Sequence, residues 1–383
     1  MGLSIREFRA LAIATQMTVA AAGFAQAPPG PLPPRPGVKP AKEAPQIRVR
    51  TELVTTPVIV RNAAGEMVLD LAVGDFRVLD NGVEQRIENF DLGGEPLSIV
   101  LLLETSSRVE ALFAAVRRTG IVFTETVMGQ TGEAAVMGFD DDVRTLLPFT
   151  TDKDAIEKAV AGFRMGTSGT VLYDALARAV SLLNERIPVA QNAEQVGRLG
   201  RRKVIVAVCE AADSGSQTPL GAVLREAQLA NITIYTVGLS TTAAMLRGEP
   251  KSGAPPAISP PGTFGRPPIP GTVQTPTSEQ QRSAQINLLA LIAYLVQNLA
   301  NTVGDNSLEA ATTGTGGLHV PTFSDRSIEK AMDAVGAELH AQYSIAYHPT
   351  GSPPVGHHEI KVEVRRPGLS VRARPGYYIP PVE

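Results

Sequence analysis

The stretch Leu101-Leu102-Leu103-Glu104-Thr105-Ser106-Ser107-Arg108 decides how the rest of the chain is read. A near-continuous apolar run over residues 98–103 stops abruptly in an acidic, hydroxyl-rich turn, and helical spacing follows over 109–127. An apolar run without alternation is what a strand covered on both faces requires, as in a parallel sheet with helices on either side. In such open sheets ligands sit beyond the carboxyl ends of the strands. A carboxylate and hydroxyls placed there are hard oxygen donors of the kind that divalent cations take.

The same alternation of strand and helix continues outward. Residues 134–139 and 143–149 read as strands joined by the turn Asp140-Asp141-Asp142. A helix is expected to begin at Asp152, and another over 171–183. Residues 204–209 give a second buried strand, 219–230 a helix and 232–237 a β-branched strand. A short strand at 318–320 and a closing helix over 328–339 complete an α/β unit over 96–340. It is expected to be a doubly wound, Rossmann-like sheet with 134–149 as its antiparallel hairpin. Prolines and glycines crowd 241–283, which reads as a disordered insertion. The charge-free run 283–304 reads as an apolar helix at 286–299, too short and too rich in Gln and Asn for a membrane span.

Both flanks are β-rich. Residues 53–60 form a β-branched run, with Pro57 pointing to an edge position. Asp80-Asn81-Gly82 between alternating segments is a strong hairpin signal. Residues 343–347, 358–364 and 369–373 alternate as well. The simplest topology pairs 47–95 with 341–383 in a small β domain, into which the α/β unit is inserted.

Composition narrows function. With 383 residues, 43% of them hydrophobic, and a net charge of −3, the chain has real cores and no basic face for nucleic acid. Arg6 and Arg9, an apolar small-residue stretch to Ala22 and Ala25-Gln26-Ala27 read as an export signal over 1–27. A Pro-rich spacer follows over 28–46. The expected location is periplasmic or extracellular, with peripheral or no membrane contact. Cys209, the one cysteine, falls in a buried strand and is given no chemistry.

Taken together, 47–380 resembles the von Willebrand factor A domain and, more closely, the acidobacterial exported proteins built around one. The resemblance rests on Asp75-Phe76-Arg77-Val78-Leu79-Asp80-Asn81-Gly82-Val83, on 101–107, and on Gly169-Thr170-Val171-Leu172-Tyr173-Asp174-Ala175-Leu176. Thr312-Thr313-Gly314, residues 343–349 and Arg374-Pro375-Gly376-Tyr377 complete it. It implies a metal-ion-dependent adhesion site, made of an Asp-x-Ser-x-Ser turn, a Thr on a second loop and an Asp on a third. Carried over, these fall on Glu104, Ser106 and Arg108, on Thr170, and on Glu210 with Asp213 beside it.

Three positions depart from that pattern. Glutamate reaches roughly 1.5 Å farther than aspartate, one carbon–carbon bond. Mg²⁺ demands near-octahedral oxygens at about 2.0–2.1 Å, so a longer arm intrudes on it. Arg108 replaces a hydroxyl with a permanent cation. The expectation is that Arg108 takes the place of the metal, gripping Glu104 and Glu210 as a fork; the bland alternative leaves it in solvent. No cofactor is expected, and the function is a non-catalytic protein-interaction module with a protein partner. The alternative is a metal-dependent adhesin holding Mg²⁺ or Ca²⁺ through Glu104, Ser106, Thr170 and Glu210. A remote alternative, a serine hydrolase using Ser106, lacks a Gly-x-Ser-x-Gly elbow. The three aspartates 140–142 read as turn residues, His357 and His358 as the entrance to a strand, and Tyr377 and Tyr378 as anchors of the β domain.

Overall fold

The central strand β5 (Leu97–Glu104) is buried at all eight positions, which fits its place in the middle of a sheet covered on both faces. Parallel neighbours flank it, β6 (Glu133–Phe139) on one side and β8 (Arg202–Cys209) on the other. The antiparallel β7 (Val143–Thr150) closes one edge. On the other side β9 (Ile232–Leu239) and β10 (His319–Thr322) extend the sheet in parallel. The strand order is therefore β10-β9-β8-β5-β6-β7. The chain winds outward from β5 in both directions, so the crevice between β5 and β8 is the topological switch point. The coordinates are a computed structural model, which describes residues 53–93, 96–186, 201–210, 213–239, 292–293, 295–296, 307–322, 325–351 and 353–380.

Side-chain alternation along β5 divides the core in two. Val100 and Leu102 face α3 (Leu172–Asn184), α4 (Leu220–Leu229) and α5 (Ser307–Thr315). Ile99, Leu101 and Leu103 face α1 (Phe113–Val122), α2 (Lys153–Gly162) and α6 (Asp325–His340). Each large apolar side chain buried this way contributes about 1.5–3 kcal/mol. Helix α1 continues the helical expectation for 109–127, entered by a 3₁₀ turn at Ser107–Leu112 and left by a π turn at Phe123–Val127. Helix α2 starts where expected, with the Asp152 carboxylate accepting the Ala155 N–H at 3.1 Å. Asp152→Ala removes that cap and is expected to lower stability by about 1 kcal/mol, read by urea denaturation.

The flanking segments form two four-stranded sheets that share a core. One has the order β13-β1-β11-β4, from β1 (Val54–Arg61), β4 (Asn89–Leu92), β11 (Tyr343–Tyr347) and β13 (Ser370–Ala373). The other, β14-β12-β2-β3, uses β2 (Phe76–Asp80), β3 (Val83–Gln85), β12 (Gly356–Val364) and β14 (Gly376–Ile379). Val58, Val60, Phe76, Val78, Tyr343, Ile345 and Tyr347 fill the space between them. The fold is thus the expected α/β sheet with an added β-rich unit from both ends of the chain. Asn81 and Gly82 both take positive φ, 47° and 81°, as a two-residue hairpin between β2 and β3 demands.

One expectation needs correction. Strand β1 is internal, not an edge: it pairs with β11 over Val54–Val58 and with β13 over Val58–Arg61. Pro57 is tolerated because β13 begins only at Val58, so Pro57 lies in the half of β1 whose ladder is one-sided. Tyr377 and Tyr378 anchor the β domain as expected: both belong to β14, which pairs with β12, and the buried Tyr377 donates its hydroxyl to Asp80. Residues 1–46 and the insertion at 241–283 lie outside the described residues. Of the helix expected at 286–299, the described Ile292, Ala293, Leu295 and Val296 are helical, and Ile292, Leu295 and Val296 are buried. Among the described residues no helix is long and apolar enough to cross a membrane.

Candidate functional site

Glu104 is the last residue of β5 and is 1% exposed. Its extra methylene lets the carboxylate span the switch-point crevice. Oε1 accepts the Ser106 hydroxyl at 2.5 Å, and Oε2 accepts the backbone N–H of Glu210, beyond the end of β8, at 2.6 Å. Burial pushes the Glu104 carboxyl up to about 7. The Ser106 hydroxyl and the Glu210 N–H pull it back, the Glu210 carboxylate raises it, and Arg108 lowers it least.

Arg108 sits in the first turn after Ser106 and, among the described residues, pairs with Glu210. Its Nε and Nη2 both lie 3.2 Å from Glu210 Oε2. The expected fork onto both glutamates is therefore half right. Both oxygens of Glu104 are already taken, and the guanidinium closes on the outer carboxylate only. Both partners are mostly buried, at 29% and 19% side-chain exposure. Arg108 does not point freely into solvent.

The loops brace one another through backbone contacts. Thr105 N–H and Oγ1 both donate to the Phe139 carbonyl, and Oγ1 is also 3.1 Å from Asp140 Oδ2. Ser107 N–H donates to Thr167 O, and Gly166 N–H to Thr105 O. The second loop presses so closely that a Cβ on Gly166 would overlap the Asp140 carboxylate, and one on Gly169 that of Asp141. Thr170, fully buried, is tied to the third loop: its N–H donates to Ser214 Oγ at 3.1 Å and its carbonyl accepts Ser214 N–H at 2.9 Å. Asp213 turns away from Glu104 to the start of α3, where Oδ1 accepts Tyr173 N–H at 3.2 Å and the Ser216 hydroxyl at 2.5 Å.

Asp140 does more than make a turn. It is 1% exposed and held by Arg144, Thr105 and the Asp142 N–H. Burial alone would raise its carboxyl; the Arg144 hydrogen bond and the backbone contact outweigh that and hold it below the usual range. The sequence sign of this role was Arg144, four residues on. Cys209 packs in the core, and burial pushes its thiol well above the ordinary range.

Residues 98–248 match the model of the von Willebrand factor type A domain. The chain carries a von Willebrand factor type A domain. No curated protein matches the chain. Among solved structures it is similar to BatB from Bacteroides thetaiotaomicron, with 12% identity over 63% of this chain and 98% of that one, at a TM-score of 0.37. An aerotolerance-related membrane protein from Bacteroides fragilis gives 14% identity over 63% and 99%, at a TM-score of 0.35. Proximal thread matrix protein 1 from the mussel byssus gives 12% over 66% and 49%, at a TM-score of 0.38.

A von Willebrand factor type A domain suggests a protein-interaction or adhesion module; the cation site that the resemblance implies falls on the residues at these strand ends. The residues present do not fit such an ion. Glu104 spends both oxygens inside the protein, Ser106 directs its hydroxyl hydrogen at Glu104, and a guanidinium covers Glu210. Among the described residues no group of three or more His, Cys, Asp or Glu is arranged to hold a metal. Ser106 is fully buried and donates its hydroxyl to Glu104.

Proposed function

We propose that this chain is an exported, non-catalytic protein-interaction module that presents the loops after β5, β6 and β8 to a protein partner without a tightly bound metal. The observation that carries the reading is the internal closure of the site. Glu104 bridges the crevice to the Glu210 N–H, and Arg108 pairs with the Glu210 carboxylate. A degenerate adhesion site built this way keeps its loops rigid by protein contacts and leaves Arg108 and Glu210 as the partly exposed polar pair at its mouth. Export is inferred from the basic and apolar pattern of 1–27.

Calorimetric titration of the full chain with Mg²⁺, Mn²⁺ and Ca²⁺ is expected to show no binding at micromolar concentrations. Micromolar affinity abolished by Ser106→Ala would establish the metal-dependent adhesin instead. Partner capture from the native envelope fraction is expected to survive EDTA and to weaken at least tenfold in Arg108→Ser. Capture that EDTA abolishes, or that Arg108→Ser leaves unchanged, overturns the proposed binding face.

A further inference from the structure

A second feature lies at the opposite end of the sheet, where the β-rich unit meets the amino ends of β8 and β9. A cavity of about 30 Å³ lies there between β1 and β11 on one side and β8, β9 and the end of α5 on the other. Arg374, Arg202 and Lys203 line it, with Asn231, Thr233 and Thr315, and among the described residues no acidic side chain takes part in the lining.

Arg374 is 3% exposed, yet among the described residues no carboxylate pairs with it. One Nη donates to Asn231 Oδ1 at 3.2 Å, and the guanidinium lies 5.9 Å from the Tyr377 ring centroid. Its Nε–H is buried without an acceptor. Burial pushes Arg374 down to about 10, with Tyr347 and Tyr377 opposing, so it remains a cation at neutral pH. The nearby buried carboxylate, Asp80, is already engaged by the Tyr347 and Tyr377 hydroxyls and by His358. A buried charge left without a counter-charge is among the most costly arrangements a protein holds, and such charges are paired or neutralised. Lys203 adds positive charge to the same lining, and its Nζ donates to the neutral Asn184 Oδ1.

We propose that this cavity binds one small inorganic anion of chloride size, held by Arg374 and its Nε–H, as a counter-ion that seals the seam between the two halves of the protein. The size follows from the volume. One water needs about 10–15 Å³, so the space admits a monatomic anion or a pair of waters, while a five-atom tetrahedral oxyanion is too large. The site is distinct from the loops around Glu104, which lie beyond the other ends of the strands, and does not depend on their function.

Thermal unfolding of the full chain in sodium chloride and in sodium gluconate at matched ionic strength tests this. Chloride is expected to raise the midpoint saturably, by roughly 2–4 °C at 150 mM, because it binds the folded state alone. Arg374→Gln is expected to abolish the difference between the salts. Crystals grown in bromide are expected to show an anomalous peak within hydrogen-bond reach of Arg374 Nε. Coincident curves in the two salts, an equal chloride effect in Arg374→Gln, or only water in the bromide crystal overturns the proposal. A bromide peak without any chloride-dependent shift means binding at crystal concentration only and overturns it too. If Arg374→Gln does not fold, the wild-type salt comparison and the bromide crystal decide.

Discussion

Replacing Glu338 with alanine is expected to lower stability by on the order of 3 kcal/mol, although the residue is far from the candidate site. Glu338, on α6, is fully buried and joins the α/β sheet unit to the β-rich one. Its Oε2 accepts Arg61 of β1 at 3.3 Å, and its Oε1 accepts Arg372 of β13, which also donates to the Gly317 carbonyl. Alanine leaves two arginines facing each other across a seam with no charge between them, and breaking a buried pair costs far more than the pair contributes. The arginines are about a third exposed, at 37% and 31%, so solvent recovers part of the loss. An exposed pair provides the contrast. Arg118 and Glu329 lie 3.5 Å apart with 54% and 40% exposure, and Glu329→Ala is expected to cost less than about 0.5 kcal/mol. Urea denaturation of both variants reads the difference. Equal and small losses would show that the seam is held by apolar packing instead.

Much of this fold is legible in the sequence because its strongest signals are long and periodic. The run through Leu101–Leu103, the β-branched run ending at Cys209 and the Asn81-Gly82 hairpin each announce themselves by composition alone. Helix α5 does not. Its sequence, SLEAATTGT, is rich in weak helix formers, and it is helical because Leu308, Ala310, Ala311 and Gly314 pack into the core around Leu224 and Ile292. Tertiary burial outweighs propensity there, and no local pattern reports it. Strand β14 is four residues long, too short for alternation to show.

The site divides along the same line. Which residues face the crevice follows from strand ends and loop order, since the chain reverses its winding at β5. Whom they bond does not. The partner of Glu104 Oε2 is a backbone N–H, which carries no mark in any sequence, and that contact decides how Arg108 is used. With Glu104 satisfied by Ser106 and the main chain, the guanidinium has one carboxylate left to grip. Asp140 is the converse case. A turn position hides a buried carboxylate whose partners, Thr105 and Arg144, come from another loop and from the start of β7.

Glu104→Gln is expected to stabilise the protein at pH 8 by about 3 kcal/mol while leaving it nearly unchanged at pH 4.5. The folded carboxyl titrates at about 7, against 4.5 for the same group unperturbed. Below 4.5 folded and unfolded chains both hold the proton, and the group contributes no pH dependence. Between 4.5 and 7 the folded state holds a proton that the unfolded state has lost, so stability falls as pH rises. Above 7 both states are ionised and the penalty is constant, at 1.36 kcal/mol for each of about 2.5 pH units. Glutamine imitates the protonated acid: its amide oxygen accepts the Glu210 N–H and its NH₂ donates to Ser106 Oγ. It pays no ionisation penalty at any pH. Urea denaturation of both proteins at pH 4.5, 6 and 8 measures the widening gap. A constant or shrinking gap would mean that ionised Glu104 is favoured by something the protein contacts do not supply. Repeating the pH 8 measurement with millimolar Mg²⁺ identifies that agent, because a bound cation would stabilise the ionised glutamate and erase the advantage of glutamine. The advantage is expected to persist, since both Glu104 oxygens are already held inside the protein by the Ser106 hydroxyl and the Glu210 N–H.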